Sequence, residues 1–449
     1  MTPTDPKDGA SRNGLAAVLS RPQFSLLVVG QTVSQLGDRL HNMALVALVA
    51  TAAQTRTAGV EVGKMGLVFL LPTIFAPIVG ALVDRMNKRA TMIACDLMRA
   101  MIVALVPLVY HTFGYIWPAY VVAFFVGLFG VFFNAAKMAL IPDLVEHHQL
   151  MPANAALASI GRVATVAGLV GGGLMVDWPA WQRIGWEGYE AGFYLDSVSY
   201  AVSVVSLSII MLLSRRHERR HASPHPLAES ADVVRREVQH LTGDMRTTFA
   251  LIRTHHGLRF VFLMVIVLGS LSGAIFVILT AAAVTVLDVG TRGVGFLGGL
   301  LAAGMIVGSL FIGLVGSRWN KSWIMIVGCL VMGLFMMGGS LTFSYAIFLP
   351  IAFVGGAVLA PVLVSMDTLL HELAPTDSRA LVFSTRDLVL GAAFIAFSQV
   401  VGFGVAFLEI VSDSPYALML FLAGLLVTIG SLGSAATQIG PSKQRTGRP

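Results

Sequence analysis

The residues of this sequence that could do chemistry are the charged and amide side chains inside its long apolar runs. An ionisable group near a bilayer centre costs several kcal/mol unless it is paired or wetted. The run from residue 24 to 52 carries Gln31, Gln35, Asp38 and Asn42, with Arg39 and His41 beside them. Spacings of three or four residues put Gln31, Gln35, Asp38 and either Asn42 or His41 on one helical face. Asp38 stands about fifteen residues into the run, roughly 21 Å along a helix crossing a core of about 30 Å. Two roles stand open for it. Either it faces a water-filled cavity and alternates between protonated and charged states, coupling proton movement to that of a substrate, or it pairs with an Arg or with backbone and fixes packing. Arg39, about 100° further round the helix, is expected in an inter-helix contact. Arg162, within a later apolar run, is suited to pair with Asp38, to hold an anionic substrate group or to form a structural ion pair. Arg386 and Asp387 are expected to satisfy each other or their neighbours near the cytoplasmic edge, in a gating role. Asp196 is expected to be a solvated cap at an outer helix end, and Lys137 an interfacial anchor.

The elements that carry these residues follow from composition. The 449 residues are 56% hydrophobic and 12% charged, with mean hydropathy +0.79. A soluble domain carries about 25% charged residues, so a soluble enzyme is excluded. Apolar runs long enough to span a bilayer fall near 24–52, 63–83, 91–111, 116–140, 153–176, 193–213, 258–287, 294–317, 323–342, 345–370, 380–408 and 415–437. The expectation is an all-α membrane protein of twelve transmembrane helices in two pseudo-symmetric six-helix bundles. Its parts are a cytoplasmic tail 1–23, a bundle 24–213, a cytoplasmic linker 214–257, a bundle 258–437 and a cytoplasmic tail 438–449. With both termini inside, 20 Lys and Arg fall in cytoplasmic segments and 4 in outer ones, a bias that fixes this orientation. The net charge of +6 therefore reports orientation, and no nucleic-acid partner is expected. Cys95 and Cys329 lie in apolar runs and read as packing residues. No cleavable leader is expected, because the first twenty residues are polar. There is no Walker loop, and His217, His221 and His225 sit in an Arg-rich hydrophilic stretch read as solvated. No metal and no cofactor are expected.

The two halves echo each other. Gly80-Ala-Leu-Val-Asp84-Arg85-Met-Asn87-Lys88 corresponds to Gly313-Leu-Val-Gly-Ser317-Arg318-Trp-Asn320-Lys321 at an offset of 233 residues. Phe125-Val126-Gly127 corresponds to Phe353-Val354-Gly355 at an offset of 228. One six-helix unit thus appears twice, as expected of carriers that rock one half against the other. Gly80 is read as permitting close helix approach, Asp84 as pairing with a basic group or a helix N-terminus, and Arg85, Lys88 and Arg89 as holding the loop at an anionic leaflet. Together they are read as a conformational latch, with Asp96 and Arg99, a turn apart on the next helix, binding it.

The run from Gly80 to Arg89 resembles the signature of the major facilitator superfamily, G-x-x-x-D-R-x-G-R-R, with Asn87 in place of its glycine and Lys88 in place of the first closing arginine. The resemblance covers nearly the whole chain and implies a secondary carrier. Asn134-Ala-Ala-Lys137-Met-Ala-Leu-Ile-Pro142-Asp143 with Ala153-Asn154-Ala155 is similar to the macrolide-exporter-like branch of drug:proton antiporters. The same region, with the Gly-rich run to Asp177-Trp178, also resembles the bacterial lysophospholipid transporter, although Ser272–Thr280 lacks the basic residue which that carrier bears in its seventh span. Gly168, Gly172 and Gly173 resemble a degraded antiporter motif and are read as helix-packing glycines of a moving interface. In this family spans 1, 4, 7 and 10 line the cavity. Phe124, Phe125, Phe132, Phe133, Met138, Phe276 and Met366 on them are read first as packing or lipid-facing residues, and they leave few groups to read a sugar or amino acid. The expected partners are a small amphiphilic substrate, protons and membrane lipids. The chain is expected to act as a monomer in a bacterial inner membrane, exporting that substrate in exchange for protons. Lysophospholipid movement between leaflets is the alternative, and a non-transporting membrane sensor a further one.

Overall fold

The computed structural model describes residues 18–52, 57–214, 250–316, 319–375 and 378–439. Among these there is no strand, and twelve helices of 22 residues or more follow in order. They are α1 (Pro22–Ala52), α2 (Ala58–Val83), α3 (Lys88–Phe113), α4 (Trp117–Leu144), α5 (Leu150–Val176) and α6 (Gly188–Ser214), then α7 (His256–Thr285), α8 (Gly290–Val315), α9 (Lys321–Thr342), α10 (Tyr345–Leu373), α11 (Arg379–Val411) and α12 (Pro415–Ile439). Eleven are long and apolar enough to cross a membrane by length and composition. The twelfth, α1, has the length but carries the polar residues singled out above, which lower its hydropathy.

Local chemistry sets the breaks. Asn87 caps α3 by accepting from the Ala90 N–H at 3.1 Å, and Asn320 caps α9 by accepting from Ser322 at 3.0 Å, as side-chain oxygens do at helix starts. Where the family signature has glycine, Asn87 thus supplies a cap. Gly114, at φ 69°, ends α3 in the left-handed conformation that glycine adopts without strain. Pro72 opens a 3₁₀ turn, Leu71–Phe75, inside α2, because proline removes an N–H from the α-helical ladder.

The large exposed apolar side chains recur at helical spacing, as at Leu97, Met101, Leu105 and Leu108 of α3 and Val198, Val202, Val205 and Ile209 of α6. Such continuous apolar faces suit lipid, not water.

Packing divides the described residues into two units. The first lies within Met1–Ala53, Val68–His240 and Val289–Gly299, and the second within Gln54–Leu67, Leu241–Asp288 and Leu300–Pro449. The core of the first includes Phe24, Val83, Met92, Phe133, Leu140 and Ile210, and that of the second Phe260, Met264, Met325, Ile326, Met366 and Leu370. In the second unit α8 crosses α10 through glycines: a Cβ on Gly304 would lie 2.0 Å from the Phe353 carbonyl oxygen, and one on Gly356 2.0 Å from that of Leu301. Just before α1, Arg21 pairs with Glu146, which follows α4, and this hydrogen-bonded guanidinium holds the Glu146 carboxyl below the usual carboxylate range.

Candidate functional site

α1 takes its polar residues to two neighbours. On one side Gly30 and Gly37 remove side chains where α6 crosses, so that a Cβ on Gly37 would collide with Ser199 and Asp196. That close approach lets polar groups of the two helices meet. Tyr200, wholly buried, donates its hydroxyl hydrogen bond to Asp38 Oδ1. Nearby, His41 Nδ1 lies 3.2 Å from Asp196 Oδ2, and Ser199 donates to Asp196 Oδ1 at 3.3 Å.

Arg99 of α3 completes the cluster. Its Nε donates to the Val126 carbonyl at 3.1 Å, and its Nη1 lies 3.4 Å from Asp96 Oδ1. Its guanidinium covers the rings of Tyr200 at 5.1 Å and Phe133 at 5.8 Å, within the range of cation–π attraction. Gly130 of α4 makes the room, since a Cβ there would sit 2.2 Å from Nη2. Lys137 of α4, buried, donates to Asn134 Oδ1 at 2.7 Å and feels the charges of Asp38, Asp96 and Arg99; Asp196 in turn feels those of Asp38 and Arg99. Three aspartates, one arginine, one lysine and one histidine therefore share this interior. All are buried except Asp38, which is half-buried.

On the other side α1 meets α5. Gly161 and Gly168 admit Gln35 and Arg39: a Cβ on Gly161 would lie 3.0 Å from Gln35 Oε1, and one on Gly168 2.8 Å from Arg39 Cβ. Arg39 Nη2 donates to Thr165 Oγ1 at 3.4 Å. Gly172 packs against Met43, and Gly173 lies against the backbone of Thr291 and Arg292 at the start of α8. Arg162 is exposed and makes no hydrogen bond or ion pair among the described residues.

Several expectations are corrected. The polar residues of α1 do not share one environment: Gln31 and His41 are buried, Asp38 turns to α6, Gln35 to α5, and Asn42 is half-buried without a side-chain partner among the described residues. Arg162 does not pair with Asp38. Asp96 and Arg99 do not bind the loop at 84–89; their partners are on α4 and α6, because Arg99 lies a dozen residues, about 18 Å, along α3 from Asn87. Gly80 allows no close approach, since a Cβ there would meet nothing within 4 Å. Asp196 is wholly buried instead of solvated, and Lys137 is buried instead of interfacial, while Phe133 and Met366 take the packing role as core residues.

In the loop itself, Asp84 and Arg85 are exposed without side-chain partners among the described residues, Lys88 lies 3.5 Å from Asp143, and Arg89 is buried. The second half repeats the Lys88 contact, with Lys321 Nζ 2.8 Å from Glu372. Arg386 lies 2.6 Å from Asp367 and 2.9 Å from Asp387. The charged pair is thus anchored to the C-terminal part of α10.

Tyr200 was not singled out from the sequence. A tyrosine inside an apolar run reads as packing, and only the recurrence of Ser199, Ser203 and Ser206 around it signals a polar face.

Residues 27–398 match the model of the family described as Major Facilitator Superfamily. Among curated proteins, the chain is 27% identical over 151 residues to the MFS-type transporter YfiS of Bacillus subtilis, covering 33% of this chain and 35% of that protein. It is 22% identical over 323 residues to Macrolide efflux protein A of Streptococcus pyogenes, covering 72% of each. Among solved structures, a bacterial homologue of the human lysosomal transporter Spinster, in an inward-facing and unoccupied conformation, superposes with a TM-score of 0.65 at 13% identity, covering 93% of this chain and 96% of that one. At that identity the likeness shows the fold.

Proposed function

The chain belongs to the major facilitator superfamily, and on that premise we propose that it is a secondary carrier working by alternating access, moving small amphiphilic compounds outward in exchange for protons. The similarity to a macrolide efflux protein supports the direction, and we place the chain in a bacterial inner membrane with both termini cytoplasmic.

The observation that carries the coupling is the charge of the buried cluster. Asp38, Asp96 and Asp196 face Arg99 and Lys137, with His41 beside Asp196. With every carboxylate ionised and His41 neutral, the cluster is one positive charge short. Net charge in a dry interior is costly, so one proton balances it. Asp38 is the member that is not fully buried, which makes it the point of exchange, and the Tyr200 hydroxyl follows its state by donating to the ionised carboxylate. Arg39, Gln35 and Arg162 line the adjoining α1–α5 side, where cargo binds. In this reading the loop from Asp84 to Arg89 is the latch of the cycle. Its exposed Asp84 and Arg85 are available to partners that the transport cycle brings to them, and Arg386 with Asp387 contributes to gating on α11.

The test uses proteoliposomes with an imposed pH gradient and a fluorescent amphiphilic dye. The wild type is expected to move dye along the gradient, and Asp38→Asn to lose gradient-driven movement while keeping dye exchange at zero gradient. Gradient-driven movement undiminished in Asp38→Asn would overturn the coupling role. Gradient-independent movement of a lysophospholipid without dye movement would overturn the exchange reading.

A further inference from the structure

We infer that the cargo carries an oxyanion, a carboxylate or a phosphate, which Arg162 holds with Arg39 on the α1–α5 side of the first unit; the inference rests on the carrier reading above. Arg162 stands twelve residues from the start of α5 and fourteen from its end, so roughly 18 to 21 Å of helix separate it from either side of the membrane. A guanidinium at that depth is not stable against hydrocarbon and calls for water or a counter-charge.

Further along α5 its face meets protein. Val166, Leu169 and Val170, at four, seven and eight residues beyond Arg162, share its face of α5. That face is the packed one: Gly295 and Gly298 of α8 lie against Leu169, and Gly299 against Val170 and the Val166 carbonyl. The part of α8 in this unit ends at Gly299, and Arg162 comes one turn beyond Val166. Arg162 itself is exposed there.

No carboxylate answers it. Neither Arg162 nor Arg39 makes an ion pair with any described carboxylate, and Asp38 is engaged by Tyr200. Arg39 reaches Thr165, three residues along α5 from Arg162, and Gln35 lies against Gly161, the residue before it, so both guanidiniums stand by the α1–α5 contact. Planar forks of N–H donors match carboxylate and phosphate oxygens in pairs, and amide and hydroxyl groups add single bonds. Ala158 and Val163, exposed beside Arg162, leave room for an apolar tail.

The experiment compares two probes that share a fluorophore and an alkyl chain, NBD-labelled dodecanoic acid and NBD-labelled dodecylamine. Binding is read by anisotropy on protein in phosphatidylcholine nanodiscs, and flux in proteoliposomes. The acid is expected to bind the wild type in preference to the amine. Arg162→Gln should weaken acid binding by roughly tenfold and leave the amine unchanged, while Arg162→Lys restores part of the loss. Thermal unfolding like that of the wild type shows that the variants are folded. Competition by dodecyl phosphate and by inorganic phosphate separates an amphiphile's headgroup from a free oxyanion. Acid binding equal in wild type and folded Arg162→Gln, preference for the amine, or binding of neither probe overturns the inference. Acid bound through Arg162 but never moved upholds it and sinks the carrier reading instead.

Discussion

Arg99 joins α3, α4 and α6 in the interior of the first unit. It lies against Asp96, the Val126 carbonyl, Tyr200 and Phe133, and Gly130 exists where its guanidinium needs space. Removing one partner of a buried charged set costs more than the set contributes, because the rest stays buried and uncompensated. Arg99→Leu is therefore expected to lower stability by about 3–5 kcal/mol, read from unfolding in detergent. Asp38→Asn keeps an acceptor for Tyr200 and should cost under about 1.5 kcal/mol; a larger loss there than at Arg99 would refute this ranking. Asp38 and Arg162 stood out in the sequence because charge is rare in apolar runs. The partner of Asp38 did not: Tyr200 reads as packing, and Asp96 with Arg99 read as binding the loop at 84–89, whereas which neighbours a guanidinium turns to depends on where Gly130 and Tyr200 come together in space.

At the scale of elements, glycines decide which helices cross closely. Gly304 and Gly308 stand four residues apart on α8, and a Cβ on either would come within 2.3 Å of a carbonyl oxygen of α10. Gly304→Ala with Gly308→Ala is expected to force the backbones apart and cost about 1–3 kcal/mol, with a lower unfolding temperature as the measure; unchanged stability would count against the crossing. The repeat was legible in the sequence and has a physical counterpart. Asn87 and Asn320 both cap, and Lys88 with Asp143 is matched by Lys321 with Glu372. Exposed pairs of this kind contribute at most about 1 kcal/mol, so their recurrence marks a shared geometry of the loops and not a source of stability. Gly80 misled because a glycine at a helix end looks the same in sequence whether a neighbour approaches it or open space surrounds it.

For the whole molecule, composition alone excluded a water-soluble fold, and the apolar runs located the twelve long helices of the described residues, eleven of which have the length and hydropathy that a bilayer demands. Orientation rests on the Lys and Arg bias. With the buried Cys95 and Cys329 replaced by Ala, Met86→Cys should react with a membrane-impermeant thiol reagent only from the cytoplasmic side and Trp178→Cys only from outside; both positions are exposed. The reverse pattern would invert the topology. The central claim, one exchangeable proton in the cluster with Asp38 as its point of exchange, is tested most directly by infrared difference spectroscopy of the reconstituted protein between about pH 5 and pH 9. The expected spectrum contains a protonated-carboxyl band that titrates in the wild type and is missing in Asp38→Asn. A spectrum without a titrating carboxyl, or one unchanged by Asp38→Asn, would contradict it.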